Sequence, residues 1–258
     1  MRHWAEGYLD AFHAASPGIT ERVLARSRAE GSDPYRWCAA AFGRTGGLVV
    51  DLACGSGPLA AHLPAWIGLD TSDAELAAAA ALERGPLAKA RANQLPLPDR
   101  SLSSVVCSMA LQVTEPLPAV LAEIARVLRP GGRLVALLPT SPPLRSRDAL
   151  LYLRLQAALQ RRITYPNTSR LRPAALAKAA EAAGLSVTGD ERRAFVLPLR
   201  TEADVRELVA SLYLPEVAPE RLDRALKVLN GRIGRDLPIP LRRIVMHRNA
   251  STGSIRSR

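Results

Sequence analysis

Residues 49–59, VVDLACGSGPL, constrain this chain more than any other segment. An apolar run ends in the acid Asp51, a turn of small residues follows, and Pro58 comes directly after the turn. Gly55 and Gly57 lack Cβ atoms, so the backbone can turn tightly and let a ligand lie against it. Proline suits the first turn of a helix, whose free N–H groups face the ligand. The segment therefore predicts a strand, a turn and a helix start that bind a nucleoside-bearing cofactor.

Two classes of cofactor use such a turn, and two acids separate them. Gly55-x-Gly57-x-x-Ala60 formally fits the dinucleotide fingerprint, but that short pattern alone is weak. Asp51 would face an approaching pyrophosphate unfavourably, whereas it suits a ligand with a cationic ammonium group. Asp70 follows Gly55 by 15 residues, where the dinucleotide pattern expects about 20. Asp70 ends the next apolar run, where it is well placed to accept both hydroxyls of a ribose.

Four motifs in this order resemble one family. They are DLACGSG at 51–57, GLD at 68–70, LPLPDRSL at 95–102 and RVLRPGGRL at 126–134. Together they look like a class I S-adenosylmethionine-dependent methyltransferase, type 11, the subgroup that includes quinone-biosynthesis methyltransferases. The resemblance covers about 48–138. It implies S-adenosyl-L-methionine as the cofactor and an enzyme that transfers a methyl group by in-line displacement.

The resemblance also implies a set of cofactor-binding residues. Asp51 would engage the ammonium group of the cofactor, directly or through water, and Asp70 would bind the ribose hydroxyls. Thr71 would lie beside the adenosine, and Ser108 would lie at the edge where cofactor and acceptor meet. The full expected set is Asp51, Ala53, Gly55, Gly57, Asp70, Thr71, Ala92, Asn93 and Ser108.

Two positions depart from the family pattern. Arg91 stands where an acid usually meets the adenine amino group, and Asn93, which has both donor and acceptor groups, is its expected replacement. Ser103 stands where the family usually has an acid in the fourth strand. The adenine contacts are therefore the part of the site that the motifs define least.

Strand and helix patterns alternate from 48 to 140, which predicts right-handed crossover units and a parallel sheet. The expected strands are 48–51, 66–70, 87–92, 103–109 and 132–138, and the expected helices are 58–63, 73–84 and 115–128. Beyond 140 we expect helices at 147–162, 173–183, 202–213 and 217–231, and strands at 185–187, 194–199 and 241–247. The fold class is α/β: a doubly wound, seven-stranded, mostly parallel Rossmann-like sheet, with the antiparallel final pair that the resemblance implies.

This pattern divides the chain into three parts. We expect an N-terminal helical cap over 1–44, a methyltransferase domain over 45–250 and a flexible tail over 251–258. Within the domain, 141–183 reads as a helical insertion on the acceptor side. The N-terminal helices and this insertion hold most of the aromatic residues, which can line an apolar pocket: Tyr8, Phe12, Tyr35, Trp37, Tyr152 and Tyr165.

The sequence assigns no catalytic base. An oxygen acceptor needs one, and histidines are the first candidates. The four histidines, His3, His13, His62 and His247, have no evident partner in sequence. Gln112, after the fourth strand, is either a residue that touches the acceptor or a solvated loop residue. The Asp/Asn-Pro-Pro-aromatic motif and the Pro-Cys motif of base methyltransferases are both absent.

Composition restricts the remaining possibilities. Apolar runs are all far shorter than ~18 residues, so no membrane span is expected, and the first residues lack the apolar core of a signal peptide. The three cysteines, odd in number and far apart, predict neither a disulfide framework nor a metal site. We therefore expect a cytoplasmic protein.

The charge is unevenly distributed. Residues 1–140 hold 13 basic and 13 acidic residues, whereas 141–258 hold 22 and 11, so the formal net charge of +11 lies in the C-terminal part. A nucleic-acid partner is possible on this ground but not favoured. A small-molecule or lipid-like acceptor is the preferred partner. The alternatives are an RNA methyltransferase, a cofactor-binding regulatory protein without turnover, and, more distantly, a nicotinamide-dependent oxidoreductase. The sequence assigns no oligomeric state.

Overall fold

The computed structural model of the chain describes residues 7–43, 47–140 and 146–250. His3, the whole proposed tail, both ends of the proposed cap and the beginning of the proposed insertion lie outside these residues.

The described residues form one seven-stranded sheet. Its order is β3-β2-β1-β4-β5-β7-β6, with β1 to β5 parallel and β7 antiparallel to both β5 and β6. The strands are β1 (Val49–Leu52), β2 (Trp66–Asp70), β3 (Leu87–Lys89), β4 (Leu102–Ser108), β5 (Leu128–Pro139), β6 (Leu185–Leu199) and β7 (Arg235–Arg248). The predicted α/β class, its mostly parallel sheet and its antiparallel final pair are confirmed.

The helices follow the predicted alternation closely. They are α1 (Tyr8–Ala15), α2 (Ile19–Leu24), α3 (Pro34–Ala39), α4 (Asp73–Ala81), α5 (Leu117–Val127), α6 (Ser146–Leu159), α7 (Pro173–Ala182), α8 (Glu202–Ala210) and α9 (Pro219–Asn230). One expected helix is wrong: 58–63 contains only a 3-10 turn, Ala60–His62.

The sheet is covered on both faces because alternate residues of its central strands point in opposite directions. Val50 of β1 and Val105 of β4 pack with Ile124 of α5 in one apolar cluster. Val49 and Val106, their neighbours along the same strands, belong to a second cluster, which includes side chains of α3. A third cluster joins α6, α8 and α9 to the end of β6. This arrangement is the doubly wound architecture.

The expected strands 185–187 and 194–199 are a single strand, β6, and its partner β7 begins well before the expected 241. The polar residues between the two apolar runs read as a break in sequence. In the structure Asp190 and Glu191 instead pair across the ladder with Arg242 and Arg243 of β7. Cross-strand charge pairs therefore replace apolar packing in the middle of β6.

The Arg242–Asp190 pair supports a prediction about stability. The Arg242 side chain is 6% exposed, donates two 2.7 Å hydrogen bonds to Asp190 and also bonds the carbonyl of Leu171. Asp190→Asn should lower the free energy of unfolding at pH 7 by about 2 kcal/mol, since it leaves a buried guanidinium without its counter-ion. The expected loss is below that of a fully buried pair because Asp190 is 30% exposed.

Urea denaturation as a function of pH measures this loss. The bond to Arg242 lowers the pKa of Asp190, so its contribution is present above the unfolded pKa of about 3.9 and is lost as pH falls through the lower folded value. The difference in the free energy of unfolding between the unmodified protein and Asp190→Asn should therefore become smaller below about pH 4. Glu202→Gln is the control, because its pair with Arg206 is 63% exposed on both sides and contributes about 0.5 kcal/mol or less. Equal losses in the two variants would contradict the prediction.

Candidate functional site

Three parallel strands end at the same edge of the sheet and form a narrow cavity of about 140 Å³ there. Five of the nine expected cofactor-binding residues line it. They are Ala53, Gly55, Asp70, Thr71 and Ser108. Since β1 lies between β2 and β4, residues that follow these strands necessarily meet at this edge.

The turn after β1 has the backbone that the small residues predict. Gly55 has φ 55° and Gly57 has φ 75°, both in the left-handed region. A Cβ on Gly57 would lie 3.0 Å from the ring of Trp66, so this glycine serves packing and lies outside the cavity lining. Ala53 also adopts a left-handed φ of 55°, which is strained for a residue with a Cβ and is common at functional sites.

Asp70 holds the edge of the sheet together. One carboxylate oxygen accepts a 2.7 Å hydrogen bond from the N–H of Gly55, and the other accepts a 2.9 Å bond from the N–H of Ser72. The carboxylate therefore ties the turn after β1 to the end of β2. Each oxygen keeps further lone-pair capacity toward a ligand hydroxyl.

Asp51 is buried behind the cavity and does not line it. Its side chain is fully enclosed, one oxygen accepts a 3.2 Å hydrogen bond from Trp66 Nε1, and the other has no partner among the described residues. Burial, reinforced by the nearby charge of Asp70, raises the pKa of Asp51 to about 8. A buried acid with a free oxygen is the group that a cationic ligand would compensate.

The remaining expected residues, Ala92 and Asn93, also lie outside the cavity. They form a short turn closed by the bridge between Arg91 and Gln94. Ligand pockets are usually ~300–1,000 Å³, so the narrow cavity covers only the end of the expected site where the amino-acid and ribose portions were predicted. The adenine end would lie along the open rim beyond Thr71.

A second, broad cavity of about 610 Å³ adjoins the first, and Thr20, Met109 and Tyr213 line both. Its wall is mostly aliphatic and aromatic, and it includes the expected Tyr152 and Tyr165. Side chains from α2, the ends of β4 and β5, α6, α8 and β7 contribute to it, so it is built from distant parts of the chain. Their convergence on the cofactor edge makes this cavity the candidate acceptor site.

Gln112, expected after β4, lines the broad cavity and is 1% exposed. Its amide nitrogen donates to the carbonyl of Met109, and its amide oxygen has no partner within the described ranges. The sequence left open a solvated loop residue at this position, which the burial excludes. Trp37, by contrast, packs against Phe195 in the core, away from both cavities.

Tyr213 and Thr20 are the residues that the sequence did not single out. Tyr213 follows α8 and its hydroxyl lies 3.2 Å from His13 Nε2, although the two residues are 200 positions apart. No local pattern signals such a pairing. His13 is the one described histidine at the cavities; His62 faces Asp33 at 3.8 Å, and His247 bonds Thr188 on the sheet.

The donor set fits the cofactor that the motifs imply. The unpaired oxygen of Asp51 suits a cation, Asp70 suits hydroxyl groups, and the glycine turn leaves room for a ligand against the backbone. Ser108, whose hydroxyl is buried without a partner in the described part of the chain, adds a polar group at the junction with the broad cavity. Among the described residues, no three His, Cys, Asp or Glu side chains are placed to hold a metal ion.

Comparison with known proteins finds methyltransferases. Residues 50–136 match the family model described as a methyltransferase domain. The demethylmenaquinone methyltransferase of Beutenbergia cavernae is 37% identical over 122 residues, 45% of this chain and 50% of the relative. The malonyl-[acyl-carrier protein] O-methyltransferase of Alcanivorax borkumensis is 42% identical over 102 residues, 35% of this chain and 34% of the relative. The chain thus spans half or less of these relatives.

Solved structures resemble the chain more widely. The YcgJ protein of Bacillus subtilis has a TM-score of 0.57 at 15% identity, covering 84% of this chain and 98% of its own. The [4+2]-cyclase SpnF has a TM-score of 0.54 at 19% identity, covering 84% and 80%. At such identities the likeness establishes the fold. No helix among the described residues is long and apolar enough to cross a membrane.

The buried acid gives a prediction about pH. The folded pKa of Asp51, about 8, exceeds the unfolded value of about 3.9. The native state therefore holds the extra proton between these values, and stability falls as pH rises from about 4 to about 8. Asp51→Asn removes this loss, so its free energy of unfolding at pH 8 should exceed that of the unmodified protein by on the order of 1–3 kcal/mol.

Urea denaturation between pH 5 and pH 8.5 tests the prediction. The difference in the free energy of unfolding between Asp51→Asn and the unmodified protein should be largest near pH 8 and smaller at pH 5. Asp73→Asn is the matched control, because that nearby acid is 79% exposed and should show no such pH-dependent gap. A variant at Asp51 that is less stable than the unmodified protein throughout would show that the carboxylate is ionised and compensated.

Proposed function

We propose that the chain, whose residues 50–136 match a methyltransferase domain, is a class I S-adenosylmethionine-dependent methyltransferase that transfers a methyl group to a small-molecule or lipid-like acceptor. The observation that carries the proposal is the contact between the two cavities. The narrow cavity bears the motif residues, and the broad cavity meets it at Thr20, Met109 and Tyr213. An acceptor in the broad cavity therefore lies beside the cofactor edge.

S-adenosylmethionine supplies a methyl group that its sulfonium already activates. The residues of this chain bind, orient and exclude water. Asp51 offers a carboxylate for the ammonium group, Asp70 accepts the ribose hydroxyls, and the backbone after β1 leaves space for the ligand. Met109, in a left-handed conformation with φ 56°, projects at the junction and helps to hold the acceptor in line with the methyl group.

The broad cavity indicates the kind of acceptor. Its wall is mainly apolar, and Arg172 and Arg192 lie on its exposed margin without an ion pair among the described residues. Arg242 also lines it but is neutralised by Asp190. An apolar molecule that carries an anionic group matches this distribution. Of the relatives, the demethylmenaquinone methyltransferase favours a lipid-like acceptor, and the malonyl-[acyl-carrier protein] O-methyltransferase favours an anionic group and an oxygen acceptor.

The RNA alternative rests on the basic C-terminal part, where some of the charges are already paired. Several basic residues of the C-terminal part are paired with neighbouring acids: Arg200–Asp236, Arg206–Glu202, Arg242–Asp190 and Arg243–Glu191. Charges that are neutralised in this way contribute little to phosphate binding. The regulatory alternative, a cofactor-binding protein without turnover, is tested by the acceptor experiments below.

Cofactor binding is the first prediction. Titration calorimetry with S-adenosylmethionine should give micromolar affinity, and Asp70→Ala should weaken it at least tenfold, because it removes the ribose acceptor and the tie to Gly55. Asp73→Ala is the control: it removes a nearby exposed acid and should leave affinity within twofold. Absence of binding to the folded protein, or equal losses in both variants, would reject the proposed cofactor site.

Acceptor charge gives the next prediction. With 6-hydroxy-2-naphthoate as the probe, the double change Arg172→Gln with Arg192→Gln should raise KM about three- to tenfold, as expected for two exposed ion pairs. With neutral 2-naphthol KM should not change. Arg200→Gln with Arg206→Gln, at exposed positions outside the cavity lining, is the matched control. The same rise for both probes would contradict an anionic acceptor.

A further inference from the structure

Three polar side chains are linked at the junction of the two cavities. His13 Nδ1 lies 2.7 Å from Glu75 Oε1, and His13 Nε2 lies 3.2 Å from the Tyr213 hydroxyl. They come from α1, α4 and the segment after α8. None of the three lies in the methyltransferase motifs, and cofactor binding as proposed above does not use their hydrogen bonds.

The Glu75 side chain can hold the imidazole of His13 in one tautomer. It is 4% exposed, and its second oxygen accepts a 2.9 Å bond from the N–H of Gly18. When Glu75 is ionised, its carboxylate only accepts hydrogen bonds, so His13 then donates from Nδ1. In the neutral imidazole of that tautomer, Nε2 accepts and the Tyr213 hydroxyl donates to it. In this state the hydrogen bonds run from Tyr213 to His13 to Glu75.

The position of Tyr213 makes this chain more than a structural contact. Tyr213 lines both cavities and is 7% exposed. Its ring is held by Phe12 at 4.6 Å and by an edge contact with Tyr165 at 6.2 Å. Burial raises the pKa of the Tyr213 hydroxyl, so Tyr213 does not lose its proton to water near neutral pH and alone is a poor proton acceptor. His13 Nε2 lies within hydrogen-bond distance of that hydroxyl and can take its proton, so Tyr213 can then accept a proton from the acceptor.

We propose that Tyr213, His13 and Glu75 form a proton-accepting relay for an oxygen acceptor. The inference rests on the proposed methyl transfer and deepens it. Tyr213 is the catalytic residue, because it contacts the acceptor, while His13 and Glu75 act through it. The arrangement applies the logic of a nucleophile, a base and an orienting carboxylate to a tyrosine at the cavity junction.

Methyl transfer and proton transfer occur together in one step. The acceptor oxygen forms a bond to the methyl carbon of the bound cofactor as the carbon–sulfur bond breaks, and that electron pair stays on sulfur. The hydroxyl proton of the acceptor passes to Tyr213, while the proton of Tyr213 passes to His13 Nε2. Glu75 stabilises the resulting imidazolium, which returns the proton to solvent after product leaves.

The other titratable groups that face the relay are acids, phenols and one thiol: Asp10 on α1, Glu21 on α2, Tyr35 on α3, Cys54 after β1, Asp70 at the end of β2 and Tyr165 after α6. No described basic side chain lines the narrow cavity beside His13. The transfer rate should therefore fall at acidic pH, because an imidazole that is already protonated cannot accept the proton of Tyr213.

The kinetic test uses Tyr213→Phe with 6-hydroxy-2-naphthoate. We expect kcat to fall about 100-fold, the range for loss of general-base catalysis, with KM and the Kd for S-adenosylmethionine within twofold. Asp73→Asn is the control: Asp73 is 79% exposed and outside the lining of both cavities, so kcat should change less than twofold. In His13→Gln the acidic fall of kcat should disappear. Equal kcat in Tyr213→Phe and Asp73→Asn would overturn the relay.

A second measurement does not depend on turnover. Nitrogen-15 NMR of histidine-labelled protein without cofactor, assigned with His13→Gln, should show His13 with its proton on Nδ1 at pH 8. Glu75→Gln should shift the tautomer toward Nε2. A proton on Nε2 in the unmodified protein would overturn the relay. Cofactor binding without any transfer to the naphthoate would overturn its role for oxygen acceptors of this class, whereas loss of cofactor binding would reject the proposed function itself.

Discussion

The parallel pairing of β1 with β2 and β4 is the constraint on which the site depends. It brings Ala53, Asp70 and Ser108 to one edge of the sheet, although 55 positions separate the first from the last. The Asp70 carboxylate then fixes this edge through its bond to the N–H of Gly55. Because the apolar side chains of β1 pack on both faces, the turn that follows it has little freedom, and the strained backbone at Ala53 is held in place by the core.

Much of the cofactor side was predictable because its information is local. A strand, an acid and a glycine turn are contiguous in sequence, and the sheet brings successive copies of this pattern together. Tyr213 was not predictable, because its partner His13 is 200 positions away and neither residue has a neighbour that reveals the contact. The middle of β6 was not predictable for a related reason: Asp190 is typical of a break between strands until β7 brings Arg242 within hydrogen-bond distance of it, diagonally across the ladder. The cofactor-binding roles of all nine expected residues, Ala92 and Asn93 among them, remain predictions.

The buried acids Asp51 and Glu75 differ in how far the protein itself satisfies their carboxylates. Asp51 has an oxygen without a partner among the described residues, and its burial favours the protonated form. Glu75 is equally enclosed, but it has two hydrogen-bond donors, Gly18 and His13. The first arrangement costs stability until a cation arrives, whereas the second is satisfied within the protein. This contrast is why the two carboxylates suit different tasks, one toward the cofactor and one behind a proton acceptor.

The C-terminal part carries the whole net charge, yet its charges are used in two ways. Arg242 and Arg243 form ion pairs with Asp190 and Glu191 between β6 and β7, where these pairs replace apolar packing. Arg172 and Arg192 make no ion pair on the margin of the broad cavity within the described structure, although the charge of Arg192 helps to lower the pKa of Asp190. Since these two arginines belong to no apolar cluster, changing them alters the charge that an acceptor would meet without disturbing the sheet. In the proposed function, acceptor choice and cofactor binding would therefore depend on separate parts of one fold that meet at the junction of the two cavities.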